Sequence, residues 1–177
     1  FLEAGPPPVG VSFGSVQSGQ AERFYAPVLH ALRQTGQRGI ILTGAQNWQP
    51  SPPAGDVLAL SGAPHSWLFP RLAVVVHHGG AGTTAEGLRA GIPNVVVPFT
   101  TDQPFWAERV RRLGAGPQPI PAGKLDAGRL TRAIEQAVSD GELRRRAAGL
   151  GQAIRGEDGV AQAVRLIVQH AEAYRST

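Results

Sequence analysis

Leu72-Ala73-Val74-Val75-Val76-His77-His78-Gly79-Gly80-Ala81-Gly82-Thr83-Thr84 sets an apolar run directly against two histidines, a glycine-rich turn and the start of a helical pattern. The run has no polar alternation, which predicts a strand covered on both faces, as in a parallel sheet. Working outward, similar runs at Val9–Phe13, Gly39–Leu42, Val57–Leu60 and Asn94–Val97 predict the other strands. Helical patterns lie between them at Ala21–Arg33, Thr83–Ala90 and Phe105–Leu113. In the last, Trp106, Val110 and Leu113 recur at i, i+4, i+7 and predict one buried face. Beyond residue 125 the chain reads as helix, at Leu125–Val138, Glu142–Ile154 and Val160–Tyr174. The alternation predicts an α/β fold, a Rossmann-like parallel sheet with helices on both faces.

A chain of 177 residues suits one well-buried domain and is short for two, so residues 1–177 read as a single unit. No cysteine is present, which excludes disulfides and thiolate metal sites. The net charge of +4 is almost all arginine, since Lys124 is the only lysine. The clusters Arg109-Arg111-Arg112 and Arg144-Arg145-Arg146 fall in amphipathic helices without interleaved aromatics. They read as solvated helix faces, with no nucleic acid as partner. No apolar run approaches a membrane span and nothing resembles a signal peptide, so a soluble, cytoplasmic protein is expected. Methionine is absent, even at position 1, and Gly5-Pro6-Pro7-Pro8 resembles the end of an interdomain linker. The chain is therefore expected to be a fragment of a longer protein.

In doubly wound folds ligands sit outside the carboxyl ends of the strands, so the loops there are where chemistry is sought. In His77–Thr84 the glycines let backbone approach a ligand, and the amides and dipole of the following helix favour an anion. Threonine hydroxyls add donors, and a strand-end histidine adds one that a diphosphate would charge by raising its pKa. A rival reading exists. Gly80-Ala81-Gly82-Thr83-Thr84-Ala85 also fits G-x-G-x-x-G/A, with Asp102 near the distance of a ribose-binding acid, as in an NAD(P)-binding oxidoreductase domain. That fingerprint normally follows the first strand, and it gives the two histidines no role.

The other loops are weaker signals. In Pro98–Pro104, Asp102 and Gln103 could pair with adjacent sugar hydroxyls or start the Phe105 helix. Ser12-Phe13-Gly14-Ser15 offers a hydroxyl and an amide to the same phosphates. In Gly62–Arg71, Trp67 and Phe69 could hold a base or serve as core. Glu86 could accept from ribose hydroxyls or simply favour the helix start.

Taken together, His77 to Pro93, then Pro98-Phe99 and Asp102-Gln103-Pro104-Phe105, resembles the donor-binding signature of UDP-glycosyltransferases of the GT-B fold. Pro64-His65-Ser66-Trp67-Leu68-Phe69-Pro70 is similar to the bacterial and fungal sterol glucosyltransferase branch and to actinobacterial enzymes that glycosylate antibiotics. Val11-Ser12-Phe13-Gly14-Ser15 resembles the first strand and loop of that family's C-terminal domain. The resemblance implies one half of a GT-B fold, binding a UDP- or TDP-hexose for inverting transfer to a hydroxyl such as that of a sterol, lipid or natural product. A binding module without catalysis is the further alternative. It implies diphosphate contacts from Ser15, His77, Gly80, Ala81, Gly82 and Thr83, and a ribose contact from Glu86. It implies a base held near Gly62, Ala63 and His65, and sugar contacts from Asp102 and Gln103. The plant form of the motif opens with a uracil-stacking tryptophan. Here that position is near Gly62, with Trp67 further on. No cofactor or metal is implied. The catalytic base and the acceptor site belong to an N-terminal domain, so the fragment is expected to be inactive alone. Peripheral membrane contact of the parent protein is implied for a lipid acceptor. The last helix carries an apolar stripe of Val160, Val164, Ile167, Val168 and Ala171. In GT-B enzymes that helix often crosses onto the N-terminal domain; packing on its own domain is the alternative.

Overall fold

The computed structural model describes residues 1–14, 21–44, 48–50 and 55–175. Five parallel strands, β1 (Val9–Ser12), β2 (Gly39–Leu42), β3 (Val57–Leu60), β4 (Val74–His77) and β5 (Asn94–Val96), form one sheet in the order β3-β2-β1-β4-β5. Chain order reverses direction between β1 and β4, which pair in the register Val9↔Val74 to Ser12↔His77. Their carboxyl ends therefore open a crevice at the topological switch point, where doubly wound folds bind ligands.

Helices cover both faces, as the unalternated strands required. On one face Val9, Val11, Val74, Val76, Val95 and Val97 pack with side chains of α1 (Ala21–Thr35) and α5 (Ala127–Ser139). On the other, Ile40, Leu42 and Val75 meet Leu68 and Phe69, from the short α2 (His65–Leu68) and the 3-10 turn after it. Val96 on that face meets Leu88 of α3 (Ala81–Ala90), Val110 of α4 (Gln103–Arg112) and Ala147 of α6 (Gly141–Gly156). An extended segment borders β5: Asn94 donates to the Ala115 carbonyl, Ile120 to that of Val96 and Ala122 to that of Pro98. It ties the last strand into the domain without forming a regular sixth strand.

Two expectations are corrected in detail. The buried face of α4 is Gln103, Ala107 and Val110; Trp106 and Leu113 are only half-buried. Trp106 stays near the surface because its indole N–H donates to Asp102 (2.9 Å), and a buried indole needs such an acceptor. The stretch after β3 contains the helix α2, which four residues are too few to announce by periodicity. The arginine clusters pair on their own helices, Arg111 and Arg112 with Glu108, and Arg145 and Arg146 with Glu142. These are solvated faces, where water and salt screen the pairs. Helix α7 (Gly159–Arg175) projects its apolar stripe outward, with Val160 78% and Ile167 68% exposed. No described helix is long and apolar enough to cross a membrane.

Candidate functional site

The crevice is bordered by described segments that follow β1, β3, β4 and β5. On the β4 side Gly79 takes a left-handed conformation (φ 89°) and turns the chain into α3. A Cβ there would lie 2.8 Å from Val96 Cγ1, so both the turn and the close approach require glycine. Gly80 is the N-cap and supplies no side-chain acceptor. Ala81 and Gly82 are exposed, and a Cβ on Gly82 would meet nothing within 4 Å. The first turn of α3 thus presents uncapped amides to an open space, at the positive end of the helix dipole. Thr83 is half-buried in the same turn. Thr84 is buried, and its hydroxyl lacks a hydrogen-bond partner.

The two histidines separate sharply. His77 ends β4 on the side facing α3 and is fully buried. Its Nδ1 accepts from the Gly79 amide (3.1 Å), so the ring proton sits on Nε2 and is donated to Asn94 Oδ1 (3.1 Å). Burial, reinforced by the neighbouring His78, pushes its pKa down to about 3. The expectation that His77 touches a diphosphate is corrected. Both ring nitrogens are engaged inside the domain, and the ring stays neutral.

His78, to which the sequence assigns no role, holds the more open position. It is half-buried, and its ring lies between the β1 and β4 loops. A Cβ on Gly80 would come within 2.5 Å of His78 Nε2, and one on Gly14 within 3.0 Å of Cε1. Nδ1 faces the Ser12 carbonyl at 3.4 Å. Burial lowers its pKa, while the Ser12 carbonyl and the charge on Asp102 pull it back up. The overlooked signal was strand alternation. His77 shares a face with Val75, so a covered β4 buries His77 and leaves His78 past the strand end.

In the β5 loop Asp102 is exposed. Its carboxylate accepts from Trp106 Nε1 (2.9 Å) and Thr101 Oγ1 (3.1 Å), which hold its pKa below the usual range. The preceding Thr101 has φ 56°, left-handed for a β-branched residue. Such strain persists only where surrounding contacts enforce it and gathers at functional loops. Gln103 is held by its side-chain oxygen. It is 6% exposed, and its Oε1 accepts from the Phe99 amide (2.8 Å) and the Thr100 amide (3.3 Å). Its oxygen closes the loop that presents Asp102.

On the α2 side Gly62 is exposed, Ala63 packs at the edge of the core, and His65 stacks on Phe69 at 4.5 Å. Burial lowers the pKa of His65, and Glu86 of α3 raises it. The Glu86 carboxylate is thus close enough to act on the His65 ring. Trp67 is half-exposed with the Arg71 guanidinium over its ring (4.6 Å), and Phe69 is core. Ser15 lies outside the described residues.

A switch-point crevice with an uncapped helix start on one wall is shared by many nucleotide proteins, and sequence comparison separates them. Residues 44–169 match the family model described as erythromycin biosynthesis protein CIII-like, C-terminal domain. The chain belongs to this family. Sterol 3-beta-glucosyltransferase UGT80A2 of Arabidopsis thaliana is 44% identical over 96% of this chain and 27% of its own length. O-mycaminosyltylonolide 6-deoxyallosyltransferase of Streptomyces fradiae is 40% identical over 97% of this chain and 40% of its own. The solved glycotransferase of kitacinnamycin superposes with TM-score 0.82 at 29% identity, covering 94% of this chain and 44% of that one. The chain thus shares the expected Rossmann-like half of a GT-B fold with these glycosyltransferases, and it spans less than half the length of each.

Proposed function

We propose that this domain binds a nucleotide-diphosphate-sugar donor, a UDP- or TDP-hexose, for inverting transfer of the sugar to a hydroxyl acceptor. The observation that carries the reading is the uncapped first turn of α3 opening beside His78 at the switch point. Gly80, Ala81, Gly82 and Thr83 would hold the diphosphate through amides and a hydroxyl, and the Ser15 hydroxyl would add to them. His78 takes the role the sequence had given to His77. Glu86 would accept from the ribose, the cleft of Gly62, Ala63 and His65 would hold the base, and Asp102 would hold the hexose.

In the reaction the acceptor oxygen bonds to the anomeric carbon as the bond from that carbon to the diphosphate breaks. Negative charge grows on the departing diphosphate, where amides and a protonated His78 stabilise it by a few kcal/mol each. The acceptor proton leaves to a base, which we assign to polypeptide outside these residues, along with the acceptor pocket. Sugar transfer by the 177-residue chain alone would refute that division of labour. No metal enters this scheme.

Titration calorimetry with UDP-glucose, TDP-glucose and NADH tests the reading, each with and without EDTA. A nucleotide sugar is expected to bind equally with and without chelator, and NADH is expected not to bind. NADH binding without either nucleotide sugar would overturn the proposal in favour of a dehydrogenase-type domain. The bound diphosphate should raise the pKa of His78 from its lowered value. Protons are then taken up on binding, and affinity rises as pH falls through the pKa of the bound state. His78→Ala should weaken binding about tenfold or more and abolish that pH dependence.

A further inference from the structure

We propose that Asn94 is a positioning residue for the donor site: it locks His77 in one neutral tautomer, and His77 in turn fixes the Gly79 amide at the mouth of the phosphate cradle. The role rests on the donor reading above. Asn94 opens β5 and is fully buried. Its Nδ2 donates to the Ile92 carbonyl (2.7 Å), which settles which way the amide faces and turns Oδ1 toward His77. An oxygen there accepts only from a protonated Nε2. A neutral ring protonated on Nε2 has a bare Nδ1, the only form that accepts the Gly79 N–H.

The alternatives are unfavourable. A proton on Nδ1 would face the Gly79 N–H donor to donor and leave Asn94 Oδ1 unpaired in the core. Full protonation sets a buried charge beside His78, with His65 of α2 also in range. Helix α3 closes on the same point, since a Cβ at Gly87 would lie 2.1 Å from Asn94 Oδ1. One side chain thus joins the strand that ends in His77, the left-handed Gly79 turn and the seat of α3. The amides of Gly80 to Thr83 follow that turn directly, so their aim depends on it. Pre-organised donors of this kind serve only when their supports are held.

Two measurements on the ¹⁵N-labelled chain test the role. In the wild type, NMR should find His77 protonated on Nε2 alone between pH 5 and 8, with a through-hydrogen-bond coupling between Gly79 N and His77 Nδ1. A proton on Nδ1 would overturn the lock. Asn94→Val removes the acceptor, and Val95→Ala is the control: Val95 lies on the opposite face of β5 and loses packing without touching the network. Below the melting range of both, Asn94→Val should raise the Kd for UDP-glucose or TDP-glucose about tenfold and speed Gly79 amide exchange, while Val95→Ala binds as the wild type does. Equal affinity in Asn94→Val and wild type, or equal weakening in both variants, would overturn the positioning role alone. Absence of nucleotide-sugar binding in the wild type would overturn the donor reading and this role with it. If Asn94→Val does not fold, the wild-type tautomer and coupling decide.

Discussion

Gly82→Val should cost the domain at least about two orders of magnitude in nucleotide-sugar affinity, some 3 kcal/mol, with no loss of thermal stability. A Cβ at this position meets nothing within 4 Å, so the fold accepts the side chain. Glycine is among the poorest helix formers, and replacing it inside the first turn of α3 stabilises the helix by up to about half a kcal/mol. The branched side chain would occupy the open space in front of the Ala81, Gly82 and Thr83 amides, where the diphosphate is proposed to sit. Calorimetry and a thermal melt on one preparation check both halves. Unchanged affinity would show that the donor does not approach this turn.

His77→Ala is expected to destabilise the domain by about 3–5 kcal/mol. It removes a fully buried ring and leaves two buried groups, the Gly79 N–H and Asn94 Oδ1, without their partner. Its effect on donor binding would follow from that damage, so His78 is the position that probes contact with the donor. Acid gives a second readout. The folded pKa of His77 is about 3, against 6.5 for the free side chain. Between those values the unfolded chain binds a proton that the folded one refuses. The contribution is therefore complete above pH 6.5 and drains away as pH falls toward 3, by about 1.4 kcal/mol per unit. From pH 6.5 to 4.5 the wild type should lose about 2–3 kcal/mol by this route, and His77→Ala should lack that part of the slope. His65 and His78 push in the same direction in both proteins. The depressed carboxylates of Asp102, Glu108, Asp126 and Glu142 act at lower pH, as their unfolded values lie near 4. Denaturant titrations at pH 7 and 5 separate the slopes; parallel slopes would remove His77 from acid stability.

The fold was legible because β1, β2, β4 and β5 are buried on both faces, and the edge strand β3 is an apolar run as well. β2 and β3 begin and end where their apolar runs do, and α3 begins two residues before the expected Thr83 because its first turn is Ala and Gly. The glycine-rich loop was legible as an anion site because glycine, helix start and histidine occur together. What the sequence did not disclose was direction. His77 and His78 are chemically alike, and only alternation from Val75 tells which one is covered. Nor did the sequence disclose that the Phe99 and Thr100 amides claim the side-chain oxygen of Gln103 from within. In sequence Asn94 reads as the first residue of an apolar strand. A polar residue buried there requires a partner, and asking for that partner would have led to His77.

The meeting of His77, Gly79, Gly87 and Asn94 has a consequence for anyone who rebuilds this domain. These positions sit on a strand, a turn, a helix and the next strand, and each is chosen by the others: the ring by the amide oxygen, the turn by the ring, the helix glycine by the space the oxygen leaves. Substitutions among them should behave non-additively. A graft that transfers the glycine-rich loop to another scaffold while leaving β5 behind would carry the letters of the motif without its shape, so the smallest transplantable unit runs from β4 through the start of β5.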